Sequence, residues 1–202
     1  MILRTALPLS LLLLFAPLAQ AKVAVGEPAP DFSAQDSHGT RHSLGEFKGK
    51  TVVLEWNNPQ CPFVKKHYSS GNIPQQQKTA TQAGVIWLTI NSNAAGKEGS
   101  ANGKAADAFL AQYRGVPTAY LLDGDGEIGH LYGARTTPHV FVIDAKGIVR
   151  YMGGIDSVPS ADQDDLKTAT QYVPQVLQEL AAGKVVSVPT SEPYGCSVKY
   201  GG

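Results

Sequence analysis

The chain has 202 residues, with 17 basic and 17 acidic side chains and therefore no formal net charge at neutral pH. This balance argues against nucleic acid and against an anionic membrane surface as partners. The chain has only two cysteines, Cys61 and Cys196. Two distant cysteines exclude a disulfide-dense scaffold and lack the close spacing of zinc ligands. The length suits a single domain with a sizeable core.

The first 21 residues have the pattern of a secretory signal peptide. Arg4 precedes a mostly apolar stretch from Leu9 to Leu18, and the small-x-small sequence Ala19-Gln20-Ala21 follows it. The apolar stretch is shorter than the ~20 residues that span a membrane. We therefore predict a signal peptide over residues 1–21, a mature domain with a C-terminal tail over 22–202, and a periplasmic or secreted location. A retained anchor is the alternative.

Strand and helix patterns alternate through the first half of this domain. Apolar runs of about six residues predict strands, and Gly and Pro mark the helix ends. The predicted elements are a small hairpin around 36–39, a strand buried on both faces at 51–56, helices at 61–69 and 72–84, and a strand at 85–90.

The second half continues the alternation and ends in a hairpin and a helix. The predicted elements are a long loop at 91–103, a helix at 104–113, a short strand at 120–122, a short helix at 127–132, a hairpin of 139–144 with 148–152, a helix at 171–182 and an irregular tail at 185–202. This order is typical of a three-layer α/β domain.

Cys61 is the strongest candidate for chemistry. It follows the strand that ends at Trp56 and begins the next helix, where free backbone N–H groups and the helix dipole stabilise a thiolate. Pro62 suits the first helical position, because its missing N–H costs nothing there. The position predicts a nucleophilic thiol, and a buried structural cysteine is the alternative.

Two more residues are candidates for a catalytic role. Cys196 could resolve an intermediate on Cys61 or form a permanent bridge with it, since the sequence does not give the Cα–Cα distance. Glu55 is an acid in an apolar strand, and a buried acid near a thiol could move its proton. An exposed strand end or an ion pair with a lysine is the alternative for Glu55.

The remaining polar candidates are interpreted as structural. Lys65 and Lys66 could support the thiolate, but a solvated helix face is the favoured interpretation. His67 and His139 are candidate bases or copper ligands, but their spacing gives no ligand signature, and hydrogen-bonded histidines are the favoured interpretation. We predict no metal and no cofactor.

Four pieces of the sequence occur in an order that resembles the thioredoxin-like superfamily, and within it the redoxin branch of alkyl hydroperoxide reductase and thiol-specific antioxidant relatives. The pieces are Asp36-Ser37-His38-Gly39 with Leu44 and Phe47-Lys48-Gly49-Lys50, then Cys61-Pro62-Phe63-Val64-Lys65, then Tyr132-Gly133-Ala134 with Thr136-Thr137-Pro138 and Phe141-Val142-Ile143-Asp144, and last Tyr194-Gly195-Cys196-Ser197-Val198-Lys199-Tyr200. The resemblance implies a thioredoxin-like α/β/α fold with a central mixed sheet.

The resemblance also implies the substrate site. Pro138 would be cis, face the cysteine loop and present the backbone of Thr137 to a thiol substrate. Pro62 and Phe63 are predicted to contact substrate, and Trp56 is predicted to be either core or a wall of the site.

The sequence departs from the relatives at three positions. Val64 stands where thioredoxins have a second cysteine, so a neighbouring thiol cannot resolve an intermediate. Asn58 stands where peroxiredoxins have Thr, which weakens the prediction of peroxidase activity. Arg135 is near the position of the peroxide-activating Arg but not in register with it.

The predicted function is an exported thiol oxidoreductase in which Cys61 acts on disulfides or peroxides and either Cys196 or an external thiol resolves the intermediate; the sequence does not identify the electron donor. The alternative is a non-enzymatic binding protein, such as a copper or thiol carrier, with a structural Cys61–Cys196 disulfide.

Overall fold

The computed structural model describes residues 23–202, so the predicted signal peptide lies outside the described residues. The strands are β1 Ser33–Asp36, β2 Arg41–Ser43, β3 Val52–Trp56, β4 Ile86–Asn91, β5 Ala119–Leu122, β6 Thr136–Thr137, β7 His139–Ile143, β8 Val149–Gly153 and β9 Cys196–Ser197. The α-helices are α1 Pro62–Ser69, α2 Asn72–Gln82, α3 Gly103–Tyr113, α4 Glu127–Tyr132 and α5 Tyr172–Ala181. Short 3-10 helices cover Leu44–Phe47 and Asp164–Lys167.

Seven strands form a mixed sheet in the order β2-β1-β5-β4-β3-β7-β8. The central pairs β3–β4 and β4–β5 are parallel, whereas β7 runs antiparallel to β3 and β8. This arrangement confirms the predicted mixed sheet. A separate two-stranded ladder joins β6 to β9. The prediction of an irregular tail is therefore wrong for Cys196 and Ser197, which form a strand because β6 offers a partner edge distant in sequence.

Each face of the sheet carries its own hydrophobic core, as period-two alternation along β3 requires. Leu54 and Trp56 pack on the face covered by α4, whereas Val53 packs on the face covered by α1, α2, α3 and α5. Cys61 belongs to the second core. The predicted three-layer arrangement is confirmed, and the strand at 51–56 is buried on both faces as expected. Within residues 23–202, no helix is both long and apolar enough to cross a membrane.

Candidate active site

A tight turn after β3 places Cys61 at the N-cap of α1. The backbone carbonyl of Asn58 accepts from the Cys61 N–H (3.0 Å), and the Asn58 side chain accepts from the Gln60 N–H (2.8 Å). Pro62 occupies the first helical position, as predicted. Cys61 is 0% exposed, and its thiol donates to the backbone carbonyl of Thr137 across 3.2 Å. The predicted nucleophile therefore begins a helix in a buried setting.

The Thr137–Pro138 peptide bond is cis, which confirms the prediction for Pro138. This segment follows α4 and contains β6, so the ladder with β9 lies directly beside the cis proline. The Thr137 backbone thus contacts the Cys61 thiol through its carbonyl and the tail strand through the ladder.

Cys196 lies opposite Thr137 in the β6–β9 ladder, and Ser197 lies opposite Thr136. Burial, followed by the adjacent Cys61 thiol, raises the pKa of Cys196 to about 12. Cys196 is half-buried, whereas Cys61 is fully buried. The structure therefore brings together the two cysteines that are distant in the sequence. Both contact Thr137, the residue before the cis proline.

Contacts on both sides of Cys196 hold the tail. Before it, the Ser191 hydroxyl bonds Tyr151 (2.6 Å) and accepts from the Gly154 N–H (2.9 Å). After it, the Lys199 N–H donates to the Asn93 side chain across 2.8 Å. The Tyr200 hydroxyl further along donates to the Ala134 carbonyl across 2.7 Å. The position of Cys196 is thus fixed by contacts that do not involve its sulfur.

A buried polar chain anchors Tyr194, two residues before Cys196. The Asn72 amide donates to Nδ1 of His67 (2.8 Å), so the neutral ring carries its proton on Nε2, which faces the Tyr194 hydroxyl at 3.1 Å. That hydroxyl donates to Asp156 across 2.5 Å. Burial lowers the pKa of His67 to about 4, although the nearby Asp156 carboxylate acts in the opposite direction. The ring is therefore neutral at pH 7.

Lys66 contacts the same buried Asp156, so the prediction that Lys66 is solvated is wrong. Its side chain is 0% exposed, and its ammonium lies 3.6 Å from the Asp156 carboxylate. It also donates to the Val158 carbonyl across 3.4 Å. A buried lysine requires a carboxylate or carbonyl partner. Asp156 lies in the segment after β8, so the residue spacing within α1 could not reveal this partner. The prediction of hydrogen-bonded histidines is confirmed for His67.

A Tyr194→Phe variant is expected to lower the free energy of unfolding by about 1–3 kcal/mol, because a buried acceptor on Asp156 loses its hydroxyl donor. The matched control is Tyr172→Phe, since no hydrogen bond among residues 23–202 involves the Tyr172 hydroxyl, while its ring packs on Tyr151 at 5.8 Å. Urea denaturation of both variants measures the effect. Equal losses of stability would contradict the role of the Tyr194 hydroxyl.

Glu55 lies beneath α1, fully buried, on the same face of β3 as Val53. Its carboxylate accepts from four side chains: Trp87 (2.8 Å), Tyr68 (2.9 Å), Gln77 (3.2 Å) and Thr89 (3.2 Å). Burial raises the pKa of Glu55 despite these donors. Tyr68 is seven residues along α1 from Cys61, or about 10 Å at 1.5 Å per residue. No hydrogen bond among the described residues joins Glu55 to Cys61.

The other predicted substrate-site residues fall into two groups. Pro62 is exposed, and Phe63 is half-buried with its ring 5.8 Å from that of Tyr194, so both lie at the surface beside Cys61. Trp56 is fully buried on the opposite face of β3, where its indole donates to Ser92 across 2.9 Å. Of the two predicted positions for Trp56, the structure therefore favours the core.

Sequence reasoning missed two contributors to the site. Gly195 has a φ of +128°, and a Cβ there would overlap the Thr137 carbonyl, so glycine is required for the tail to approach β6. Tyr194 is held by Asp156, which has no local sequence signal. For Gly195, the motif Tyr194-Gly195-Cys196 was the available sequence signal.

Among residues 23–202, no group of three or more His, Cys, Asp or Glu side chains is arranged to hold a metal ion. His139 is buried, and this burial lowers its pKa to about 3. Its Nδ1 accepts from the Arg135 N–H across 3.4 Å. This histidine therefore has a backbone partner.

The mixed sheet with flanking helices, the cysteine at the start of α1 and the facing cis proline define a protein of the thioredoxin-like class. The Redoxin family matches residues 24–173, and the chain belongs to this family. No curated protein matches the chain.

Several solved structures share this fold. A hypothetical protein from Sinorhizobium meliloti is 23% identical, with a TM-score of 0.73 over 90% of this chain and 97% of that one. An uncharacterized conserved protein from Geobacillus kaustophilus is 22% identical, with a TM-score of 0.74 over 88% and 93%. A structure assigned as the thiol:disulfide interchange protein DsbE of Chlorobium tepidum is 25% identical, with a TM-score of 0.53 over 65% and 85%.

Proposed function

We propose that the protein is an exported thiol-dependent oxidoreductase in which Cys61 is the nucleophile and Cys196 is the resolving thiol. The observation that carries this proposal is the convergence of three groups: the Cys61 thiol, the Thr137 carbonyl that it contacts, and Cys196 opposite Thr137. Membership of the Redoxin family and the similarity to a thiol:disulfide interchange protein support redox chemistry at this point. Export rests on the signal-peptide pattern of residues 1–21.

The proposed reaction has two steps. With a disulfide substrate, the Cys61 thiolate forms a bond to one sulfur and expels the other as a thiolate. The Cys196 thiolate then attacks the sulfur of Cys61, releases the second substrate thiolate and leaves a Cys61–Cys196 disulfide. With a peroxide, Cys61 takes one oxygen to become a sulfenic acid and releases an alcohol or water, and Cys196 then forms the same disulfide with loss of water. Two electrons from external thiols restore the dithiol.

The predicted substrate-site residues have distinct places in this proposal. Pro62 and Phe63 contact the substrate at the surface beside Cys61. Thr137 and Pro138 shape the site on the opposite side. Glu55 stays a predicted proton acceptor for the thiol, although no hydrogen bond among the described residues joins the two side chains.

The alternative of a carrier with a permanent disulfide has less support. The described residues contain no cluster of three metal ligands. The tail on both sides of Cys196 is already held by Ser191, Tyr194 and Tyr200. A disulfide is therefore not needed to fix the tail.

The test equilibrates the chain in glutathione redox buffers and follows the Cys61–Cys196 bond by mass. A working pair is expected to have a midpoint between about −270 and −120 mV, the span of dithiol oxidoreductases. A midpoint below about −300 mV is typical of a structural disulfide and would contradict the catalytic proposal. Glutathione on Cys61 without an internal bond would remove Cys196 from the mechanism.

A further inference from the structure

Helix α1, which begins beside Cys61, also holds the tail at Tyr194. The Tyr194 ring lies edge-on to the Phe63 ring, with 5.8 Å between the ring centroids. The Lys66 ammonium lies over the same ring, 5.8 Å from its centroid. The Tyr194 hydroxyl lies 3.1 Å from Nε2 of His67. Three side chains of the helix that carries the nucleophile therefore contact one residue of the tail.

The three contacts belong to one face of α1. Phe63, Lys66 and His67 are spaced by three and four residues, so they are neighbours on the helix surface. The side chains of Lys66 and His67 are 0% exposed. The Asp156 carboxylate accepts from the Tyr194 hydroxyl across 2.5 Å and lies 3.6 Å from the Lys66 ammonium. Release of Tyr194 would leave this buried carboxylate without its hydroxyl donor, which is costly.

Only Gly195 separates Tyr194 from Cys196. Two residue steps of extended chain span at most ~7 Å, so an anchored Tyr194 confines Cys196 to a small region. Gly195 lies against the Thr137 carbonyl, which is the group that the Cys61 thiol contacts. The anchor therefore keeps Cys196 near Cys61 without a bond between the two sulfurs.

The tail contacts on either side of this anchor connect to other elements. The Ser191 hydroxyl bonds to Tyr151 of β8, and the Tyr200 hydroxyl donates to the Ala134 carbonyl after α4. Neither contact involves α1. Tyr194 therefore fixes the tail relative to the helix that carries the nucleophile.

We propose that Tyr194 is a positioning residue that sets the effective concentration of Cys196 at the sulfur of Cys61. This inference rests on the proposed function and deepens its resolving step. A tail that is already ordered loses little conformational freedom when the two sulfurs bond, whereas a free tail must first be ordered. When glutathione is bound to Cys61, the Cys196 thiolate forms a bond to the Cys61 sulfur, the bond to glutathione breaks, and glutathione leaves as a thiolate. The anchored tail favours this step.

Tyr194→Phe tests the anchor, because it removes the hydroxyl and keeps the ring. The chain and the variant are equilibrated in mixtures of reduced and oxidised glutathione, and the internal disulfide is measured by mass after an acid quench. We expect the equilibrium constant for the internal disulfide to fall about three- to tenfold, the effect of one lost hydrogen bond. A tenfold fall moves the midpoint by ~30 mV to a less negative value. Tyr194→Leu also removes the ring contacts with Phe63 and Lys66 and is expected to have a larger effect.

Tyr132→Phe is the matched control. The Tyr132 hydroxyl donates to the Pro30 carbonyl across 2.7 Å, so this variant loses a tyrosine hydrogen bond that involves neither α1 nor the tail. Urea denaturation should show that both variants lose stability, whereas the disulfide equilibrium constant of Tyr132→Phe should match that of the wild type. An equal fall in the two variants would show a general effect of lost stability and would overturn the inference.

The wild-type chain separates this inference from the proposed function. A wild-type chain that forms no Cys61–Cys196 bond in oxidised glutathione contradicts the proposed function, and the inference falls with it. A wild-type chain that forms the bond, together with an unchanged equilibrium constant in Tyr194→Phe, contradicts the inference alone.

Discussion

A Cys61→Ser variant is expected to reduce disulfides or peroxides no faster than the buffer does. A serine hydroxyl is not a nucleophile toward sulfur at neutral pH, whereas a thiolate at a helix N-terminus is. The loss should be visible with dithiothreitol as electron donor, with either a disulfide or a hydroperoxide as the substrate. The serine is nearly the same size as the cysteine that it replaces, so the fold around the buried site should be retained.

Cys196→Ser should behave differently from Cys61→Ser. Because Cys61 is intact, the first step still occurs, and the chain should accumulate as a mixed disulfide or a sulfenic acid after one equivalent of substrate. Ser197→Ala, at the exposed neighbour of Cys196, is the control and should keep the wild-type rate. Wild-type turnover by Cys61→Ser would exclude Cys61 as the nucleophile.

A Glu55→Ala variant is expected to have the largest effect on stability, a loss of about 3–5 kcal/mol in the free energy of unfolding. The substitution removes the acceptor that four buried donors share: Trp87, Tyr68, Gln77 and Thr89. Of these, the Gln77 amide also donates to the Tyr68 and Thr89 hydroxyls. Glu27→Ala, at an exposed glutamate, should change stability by less than about 0.5 kcal/mol. Urea unfolding measures both variants, and a loss below about 1 kcal/mol for Glu55→Ala would show that the donors find other partners.

Glu55→Gln separates the charge of Glu55 from its hydrogen bonds. Burial raises the pKa of Glu55 in the folded state, so the protonated acid is favoured there and its contribution to stability is lost as the pH rises. Glutamine does not titrate. The stability of Glu55→Gln relative to the wild type should therefore increase with pH above the ordinary glutamate value of ~4.3. A constant difference would contradict the raised pKa.

The local patterns of this sequence predict most of the sheet and the position of Cys61. Three features determine local structure through neighbouring residues alone. They are the apolar run of β3, the proline that follows Cys61, and Gly71, which ends α1. The cis form of Pro138 came from the resemblance to redoxins, because an X-Pro pair alone favours trans.

The errors concern contacts between distant parts of the chain. Lys66 looks solvated in α1, and only Asp156 explains its burial. The two-residue strand β9 is too short for a periodic pattern and exists because β6 is its partner. The proximity of Cys61 and Cys196 follows from the same ladder. The sequence could identify both thiols as candidates, but only the assembled fold decides between a pair and two separate cysteines.

The ladder between β6 and β9 also sets an order of events when the chain is made. The Redoxin match ends at residue 173, whereas Cys196 lies beyond it in the tail. A chain that emerges N-terminus first can fold α1 and place Pro138 before the tail arrives. Until then, Cys61 lacks the thiol partner that the proposed function assigns to it. An intermediate formed on Cys61 at that stage would have no internal thiol to resolve it.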